Sequence, residues 1–596
     1  MTEMTQAYSN LIKEAFITPI RTVTVIDDEY PTFLSLLDSQ KQVSLDVKSA
    51  SSNTDRLKKI IAMCHYKRHW SIDVLDGSTP NVGGKVPVPS HIRHSDLVIL
   101  DYHLDGDGSV DGGKRARRII QQLDQSNHYN LTLVHTKGQD DDIKIVFTEI
   151  LKDFICISND NQTIPSEATI EKINNWLDEN EDGIKYQWIT ESINLVKVLK
   201  IFLSPESLRC INPRVKSHPL HAFSSEINHV AKQAGLSDVE LMQWLFTDIL
   251  TKNEIVFGQD TRMDLQFDWS EETNFISTGK IFISVIRKEN TEDLEEELIG
   301  SLSRALTKHN ASPMQLLMAK IRFELDEKGI EQASKIISNR YAQAGWLYNL
   351  LKNSNDDSAH DKAINLHWEQ LATASRLELR DFSKKIMNIA RETFPSDEKK
   401  FVKHFFNECM TEQDITLGHL NAFSCSMPVC NSHLMTGTVL DIEGEKWVCI
   451  TPACDLVPGQ KKTQWESRIG ESYLVFKAVR FEKANLNTAN KKANFNDYIY
   501  LNVDDKPEAY CLGGENPCWD TFYAVNQGRY VNSSQLCILS VRENNNPDAK
   551  FPLEMKELQV NVIAELRYEY ALNLLHKFGS SQTRVGLDFQ NKESMW

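Results

Sequence analysis

The sequence changes from apolar to acidic within one short stretch near its start, Arg21-Thr-Val-Thr-Val-Ile-Asp27-Asp28-Glu29. Its first part is a largely apolar run with the length of a β-strand. Such a run is typical of a strand that is buried on both faces of a parallel sheet. The acidic pair follows where this strand ends. The stretch therefore predicts an α/β fold whose chemistry lies at the carboxyl edge of the sheet.

Two later stretches show the same pattern of a largely apolar run that stops at polar residues. The first is Ser95-Asp-Leu-Val-Ile-Leu-Asp101, and the second is Asn130-Leu-Thr-Leu-Val-His-Thr136. Ligands of open α/β sheets bind beyond the carboxyl ends of the strands. If the three strands are neighbours, the acidic pair, Asp101 and Thr136 meet in one crevice.

These residue types favour the chemistry of phosphoryl transfer. Three carboxylates in one crevice repel one another, so either one of them takes up a proton or a hard cation binds. Mg²⁺ suits the second case, because it binds through one or two carboxylates and keeps waters for an incoming phosphate. Asp101 is then a carboxylate nucleophile able to form an aspartyl phosphate, and the Thr136 hydroxyl can hydrogen-bond a phosphoryl oxygen.

On these residues the chain resembles the receiver domain of bacterial two-component response regulators. The resemblance rests on the pair Asp27-Asp28 after the first strand, Asp101 after the third and Thr136 after the fourth. It implies that Asp101 is the phospho-acceptor and that Thr136 is the switch hydroxyl. It also implies Mg²⁺ as cofactor, held by Asp27, Asp28, Asp101 and the backbone carbonyl of His103. The fold that it implies is a doubly wound, receiver-like parallel sheet with strand order 2-1-3-4-5.

The spacing of the acidic residues departs from the family's pattern. Asp28 and Asp101 are further apart than is usual, which predicts an insertion near 71–94, a segment with Gly-Gly and several Pro residues. The second strand is then expected at Val43–Val47, where apolar and polar residues alternate.

The family's cation is also missing from its expected place. A Lys, usually followed by Pro, ends strand five in the family, but the strand-five candidate Phe154–Ile157 has no Lys-Pro after it. Lys137, directly after Thr136, is the tentative source of that positive charge. The missing Lys-Pro leaves open a degenerate receiver that folds in the same way and is never phosphorylated.

Length and composition bound the class of protein. With 596 residues, the chain is expected to form roughly two to four domains. Apolar runs too short for a membrane span and a polar N-terminus predict a cytoplasmic protein without a membrane segment. Eleven Cys in a long chain indicate reduced thiols. The formal net charge of −17 disfavours non-specific nucleic-acid binding, although a local basic patch stays open.

We expect a multidomain chain of class α/β plus α plus α+β. Residues 1–205 form the receiver-like domain, and 206–415 form a mainly helical region with a small sheet near 263–287. Residues 416–596 form a strand-rich, barrel-like domain, whose terminal helix is predicted at Glu557–Phe578.

Three local patterns leave further activities open. The helical hairpin near 221–251 has the outline of a helix-turn-helix, but its second helix is apolar and acidic where DNA recognition needs basic residues, so a packed hairpin is favoured. Cys425, Cys430 and His433 leave zinc open, although their loose spacing favours free thiols. Cys454 beside an Asp leaves open an enzymatic effector, although no His partner is evident.

The leading hypothesis is a phosphorelay response regulator of a two-component system. A histidine kinase or phosphotransfer protein would phosphorylate Asp101, and the phosphoprotein would signal through its helical and C-terminal output region, by a protein partner or by self-association. The alternatives are a DNA-binding transcriptional regulator and a degenerate receiver scaffold coupled to an unidentified effector activity. No enzymatic activity is predicted beyond the receiver's own phosphorylation chemistry, and the activity of the output region stays open.

Overall fold

The computed structural model describes most of the chain as two compact units, residues 1–323 and 324–596. The described residues are 2–32, 50–77, 90–104, 112–137, 142–155, 157–158, 165–179, 193, 195–202, 218, 220–255, 257–258, 265–270, 272–289, 292–352, 357–407, 409–459, 466–513, 517–532, 534–544 and 550–582. Among them, none of the helices combines the length and the hydropathy that a membrane span requires. The division into compact units does not test the domain boundaries expected at residues 205 and 415, which stay predictions.

The first unit is built on one seven-stranded sheet. The strands of this sheet are β1 Thr22–Ile26, β2 Ser71–Leu75, β3 Leu97–Leu100, β4 Asn130–Thr136, β7 Gln266–Trp269, β8 Asn274–Ser277 and β9 Ile281–Arg287. Two further strands, β5 Ile157–Ser158 and β6 Phe257–Gly258, pair with each other in a separate small sheet. The order in the large sheet is β2-β1-β3-β4-β9-β8-β7. The first five strands in this order are parallel, and β8 and β7 extend the sheet in antiparallel fashion. This confirms the expected parallel-rich α/β fold.

Nine helices of the first unit have described bounds. They are α1 Thr2–Ile12, α2 Ala50–Ala62, α3 Lys114–Asp124, α4 Ile143–Lys152, α5 Glu167–Glu179, α6 Leu195–Phe202, α7 Ser224–Gln233, α8 Asp238–Lys252 and α9 Ser301–His309. One apolar core joins α3, α4 and the helices α5 to α8 to the strands β3, β4 and β9. Every residue of β3 and β4 is buried, as expected of central strands that are covered on both faces.

The fifth parallel strand is β9, and the expectation of a strand five at Phe154–Ile157 was wrong. Ile157 belongs to β5, which pairs with β6 instead of with β4. The place beside β4 is taken by β9, in register from Asn130 opposite Ile281 to Thr136 opposite Arg287. Six of the seven β9 residues are buried, which suits the centre of a sheet better than the short polar-ended candidate. The expected small sheet near 263–287 is therefore part of the large sheet.

The second strand also lies elsewhere than expected. Ser71–Leu75 pairs with the whole of β1 in parallel register, so this part of the predicted insertion 71–94 is a strand of the sheet. The strand expected at Val43–Val47 lies outside the described residues, as do residues 78–89 of the predicted insertion. The sequence separation between Asp28 and Asp101 thus arises at least partly before the second strand.

The helical hairpin α7–α8 is packed into the core of the first unit. Ser237 caps α8 through a reciprocal capping box with Glu240. The buried face of α8 includes Trp244 and Phe246, and seven of its residues are buried. This geometry favours the packed hairpin over a DNA-recognition helix.

The second unit begins in a helical region and continues into a strand-rich one, as expected. The helix α10 Pro313–Ile337 begins in the first unit and ends in the second. The other α-helices of the second unit are α11 Arg340–Lys352, α12 Asp357–Thr393, α13 Glu398–Phe406, α14 Gln413–Cys425, α15 Glu466–Ile469, α16 Leu486–Lys491 and α17 Tyr568–Gln582. Its strands are β10 Ser426–Met427, β11 Thr438–Ile442, β12 Glu445–Cys449, β13 Tyr473–Arg480, β14 Glu482–Ala484, β15 Ile499–Val503, β16 Lys506–Cys511, β17 Trp519–Val525, β18 Gln535–Glu543 and β19 Leu553–Leu566.

Six of these strands close into a barrel. The order is β19-β11-β12-β13-β17-β18, and β18 pairs again with β19, so the sheet has no free edge along this circuit. Side chains from alternate positions fill the inside, among them Trp447, Phe476 and Phe522. The outer face packs on α14, α17 and the small sheet of β14, β16 and β15. The barrel is thus a packed core.

The terminal helix begins later than expected. Residues Leu553–Leu566 form β19, and the helix α17 covers only Tyr568–Gln582. Leu558, Val562 and Leu566 are spaced by four residues, which fits one face of a helix and one face of a strand equally well. In the structure these residues form a strand, because the segment pairs with β18 and β11.

The close approach of Gly113 to the Tyr102 ring gives a test of the packing beside the sheet. A Cβ atom at Gly113 would overlap that ring, whereas one at Gly329 would meet nothing within 4 Å. We expect Gly113→Ala to lower the free energy of unfolding of the first unit by about 1–3 kcal/mol. Gly329→Ala, in the interior of a helix, should raise stability by roughly 0.5–1 kcal/mol. Calorimetry of the full chain measures both, and equal effects would contradict the packing.

Candidate functional site

Acidic side chains converge where two neighbouring parallel strands end. Asp27 and Asp28 follow β1, and Asp101 follows β3, which is the neighbour of β1 in the sheet. One carboxylate oxygen of each lies within 4.8 Å of the others. The strands β1 and β3 are locked together there, because the Asp101 N–H donates to the carbonyl oxygen of Ile26 at 2.8 Å. The structure therefore brings together the three acids that the sequence placed in one crevice.

A buried lysine lies between two of these acids. The Nζ atom of Lys288 donates to Asp27 Oδ2 at 2.9 Å and lies 3.0 Å from Asp101 Oδ1. Lys288 directly follows β9, and its N–H donates to the carbonyl oxygen of Thr136 at 2.8 Å. Its side chain is only 10% exposed. The parallel pairing of β9 with β4 thus places the ammonium group of Lys288 at the acidic edge of the sheet.

The sequence analysis missed Lys288 because it assigned the β9 stretch to a separate sheet. The signal was present: β9 is a largely apolar strand that stops at polar residues, as do the three strands used to predict the site. Lys137, the tentative cation, lies 3.3 Å from Glu29 Oε1 with a mostly exposed side chain. The ammonium in contact with Asp101 belongs to Lys288.

Asp27 is held rigidly in this arrangement. Its carboxylate also accepts the N–H of Glu29 at 3.0 Å, and its own N–H donates to the carbonyl oxygen of Leu75 on β2. The side chain is almost fully buried, whereas that of Asp28 is exposed. The pair therefore offers one fixed inner carboxylate and one outer carboxylate that is open to solvent.

Burial and mutual repulsion set the protonation of the site. Burial raises the pKa of Asp101, the Lys288 ammonium opposes this effect, and the charges of Asp27 and Asp28 add to it, so that the pKa is about 6. The pKa of Asp28 is also raised, first by the partial burial of its carboxyl group and then by the negative charge of Asp27. Burial alone would lower the pKa of Lys288, but the carboxylates of Asp101 and Asp27 hold it above its ordinary value. One ammonium among three carboxylates leaves the cluster with a net negative charge.

This donor set fits a hard divalent cation. Three carboxylates whose oxygens lie within 4.8 Å of one another are suitable oxygen ligands, and the single ammonium of Lys288 offsets only part of their negative charge. Asp28 lies on the exposed side, where waters and a phosphate can reach it. His103 lies two residues after Asp101, and its backbone carbonyl stays a predicted ligand.

Thr136 lies at the same edge of the sheet. It is the last residue of β4, is fully buried, and is opposite Arg287 in the register with β9. Its carbonyl oxygen holds the main chain of Lys288. The role of its hydroxyl as a switch stays a prediction.

The cysteine clusters of the second unit have other partners. The thiol of Cys425 donates to the carbonyl oxygen of Tyr500 at 2.9 Å, and that of Cys430 donates to the Glu565 carboxylate at 3.1 Å. Cys454 lies in a short helical turn, with its thiol 3.5 Å from the Asp455 carboxylate. Among the residues that the structure describes, the cluster able to hold a metal ion is that of the three aspartates.

The stability of the first unit should depend on pH through Asp101. Its pKa is raised in the folded protein from 3.8 to about 6, so the folded state binds more protons than the unfolded state between these values. Stability from this group is therefore lost as the pH rises through that window. At pH 7.5 we expect the free energy of unfolding of Asp101→Asn to exceed that of wild type by about 1–3 kcal/mol, and its unfolding temperature to be higher. Both differences should disappear near pH 4.

Calorimetry between pH 4 and pH 8 measures this difference. Asp55→Asn is the matched control, because Asp55 is an exposed partner of Lys58 on α2. An Asp101→Asn variant less stable than wild type at pH 7.5 would contradict the electrostatic description of the site.

Comparison with protein families agrees with the resemblance seen in the sequence. Residues 19–182 match the family model described as a response receiver domain. No curated protein and no solved structure matches the chain. The matched segment includes the three aspartates and Thr136, whereas Lys288 lies beyond its end. The N-terminal part of this chain thus carries a response receiver domain.

Proposed function

We propose that this protein is a phosphorelay response regulator that accepts a phosphoryl group on Asp101 with the help of Mg²⁺. The observation that carries the proposal is the contact of Lys288 with both Asp27 and Asp101. The expected strand-five lysine had no counterpart in the sequence pattern, and its absence left a degenerate receiver open. A buried ammonium on the acceptor carboxylate supports a working site instead.

The chemistry follows from the positions of the side chains. A carboxylate oxygen of Asp101 attacks the phosphorus of a phosphohistidine donor, the P–N bond breaks, and an acyl phosphate forms. Mg²⁺, held by Asp27, Asp28 and Asp101 together with the His103 carbonyl, would supply charge neutralisation for the phosphoryl oxygens. The Lys288 ammonium then pairs with the new negative charge, and the Thr136 hydroxyl hydrogen-bonds a phosphoryl oxygen.

The donor is proposed to be a histidine kinase or a phosphotransfer protein, as the receiver domain suggests. The output is proposed to lie in the helical and barrel region, through a protein partner or self-association. A cytoplasmic location stays a prediction from the sequence.

The first test is phosphoryl uptake by the full chain from a small phosphodonor such as radiolabelled acetyl phosphate. We expect wild type to become labelled only with Mg²⁺, and Asp101→Asn to lose the label, because the variant lacks the carboxylate nucleophile. Asp55→Asn, on the exposed face of α2, should label like wild type. Equal labelling of Asp101→Asn would refute the assignment, and an unlabelled wild type would favour the scaffold.

The second test decides between the two candidate cations. We expect Lys288→Ala to slow phosphoryl uptake about a hundredfold, since it removes a buried positive charge from the reacting group. Lys137→Ala should change the rate less than about twofold, because exposed ion pairs contribute little. Initial labelling rates at saturating Mg²⁺ measure both variants. The reverse ranking would assign the cation to Lys137.

A further inference from the structure

A buried polar cluster lies next to Lys288 and takes no part in the chemistry proposed above. It consists of Arg56 on α2, His135 on β4 and Glu297 in the helical turn Glu296–Gly300 before α9. The side chains are 15%, 2% and 6% exposed, respectively. Burying charged groups so completely is unfavourable unless they are paired and hydrogen-bonded. The hydrogen bonds of these three side chains therefore indicate what the cluster does.

One oxygen of Glu297 is the centre of the cluster. Its Oε1 atom accepts a hydrogen bond from Arg56 Nη2 and lies 2.7 Å from His135 Nε2. The same oxygen accepts the main-chain N–H of Glu289 at 3.3 Å. Three elements of the first unit thus meet on a single carboxylate, and one of its donors is the backbone of the residue after Lys288.

Arg56 holds the other side of the same residue. Its Nη1 atom donates to the carbonyl oxygen of Glu289 at 2.5 Å, while Nη2 of the same guanidinium reaches Glu297. A planar guanidinium can make two such bonds at a fixed angle, whereas a lysine ammonium is a single point charge. The N–H and the C=O of Glu289 are therefore both bound by the cluster.

These bonds matter because β9 ends at Arg287. A peptide beyond a strand end has no further ladder partner and needs other groups to fix it. The N–H of Lys288 is bound by Thr136, and the next residue is bound by Glu297 and Arg56. The main chain is thus held on both sides of the Cα atom from which the Lys288 side chain reaches Asp27 and Asp101.

We propose that Arg56 and Glu297 are positioning residues that hold Lys288 against the acceptor carboxylate. This inference rests on the proposed function, since it concerns the placing of the cation for phosphoryl transfer. His135 supports the arrangement by fixing the Glu297 carboxylate from the face of β4. Loss of the Arg56 fork leaves the charge of Lys288 in place but removes the donor that holds the carbonyl of the following residue, Glu289.

The geometric part is tested by hydrogen–deuterium exchange of the full chain, without any phosphodonor. We expect Glu297→Ala to speed exchange at the amide of Glu289 about tenfold, because this N–H loses its acceptor. Arg56→Lys should speed exchange there as well, because Glu297 Oε1 loses the guanidinium that holds it in place. Arg68→Lys is the matched control, because Arg68 pairs with Glu295 at the surface, just after α2. Unchanged exchange in Arg56→Lys would overturn the inference.

The functional part is tested by a double-mutant cycle on the labelling rate. Arg56→Lys should slow phosphoryl uptake about tenfold in the wild-type background but less than about twofold in Lys288→Ala, because the two residues act through one contact. Equal slowing in both backgrounds would mean that Arg56 acts on the overall structure, and it would overturn the inference.

The two proposals fail separately. An unlabelled wild-type protein would reject the proposed function, while the exchange experiment would still decide whether the cluster holds Lys288. A labelled wild type in which Arg56→Lys neither exchanges faster nor labels more slowly would reject the positioning alone.

Discussion

The contact of one buried ammonium with two buried carboxylates is the interaction on which the site of this protein depends. Asp27 and Asp101 come from adjacent strands, and Lys288 comes from a third. Each charge alone would be expensive to remove from water, and one ammonium offsets only one of the two buried carboxylate charges. A site with this imbalance is suited to taking up a cation and an anionic group.

The position of Lys288 depends on the fold of the whole first unit. The chain leaves the sheet after β4, forms the helices α4 to α8, and returns through β7 and β8 before β9 completes the parallel part. The intervening helices share one apolar core with β3, β4 and β9. They are therefore integral to the unit, which explains why the compact unit extends well beyond the segment matched by the receiver family model.

The errors of the sequence analysis have identifiable physical causes. Strand five was sought close after strand four, because consecutive elements are usually adjacent in space, and the long excursion through α4 to α8 breaks that expectation. The start of the terminal helix was placed too early because a four-residue apolar spacing fits both a helix and a strand. In both cases the pairing partner decides, and it lies far away along the chain.

The sequence by itself determined the features that are local. An apolar run and the acids that end it are contiguous, so β1, β3 and β4 and the residues Asp27, Asp101 and Thr136 could be read directly from the chain. Only the tertiary structure decided which strand lies beside β4, and with it that Lys288 meets the acids. Strand adjacency is set by burial across the sheet, and the energy that selects it comes from residues that are distant in sequence.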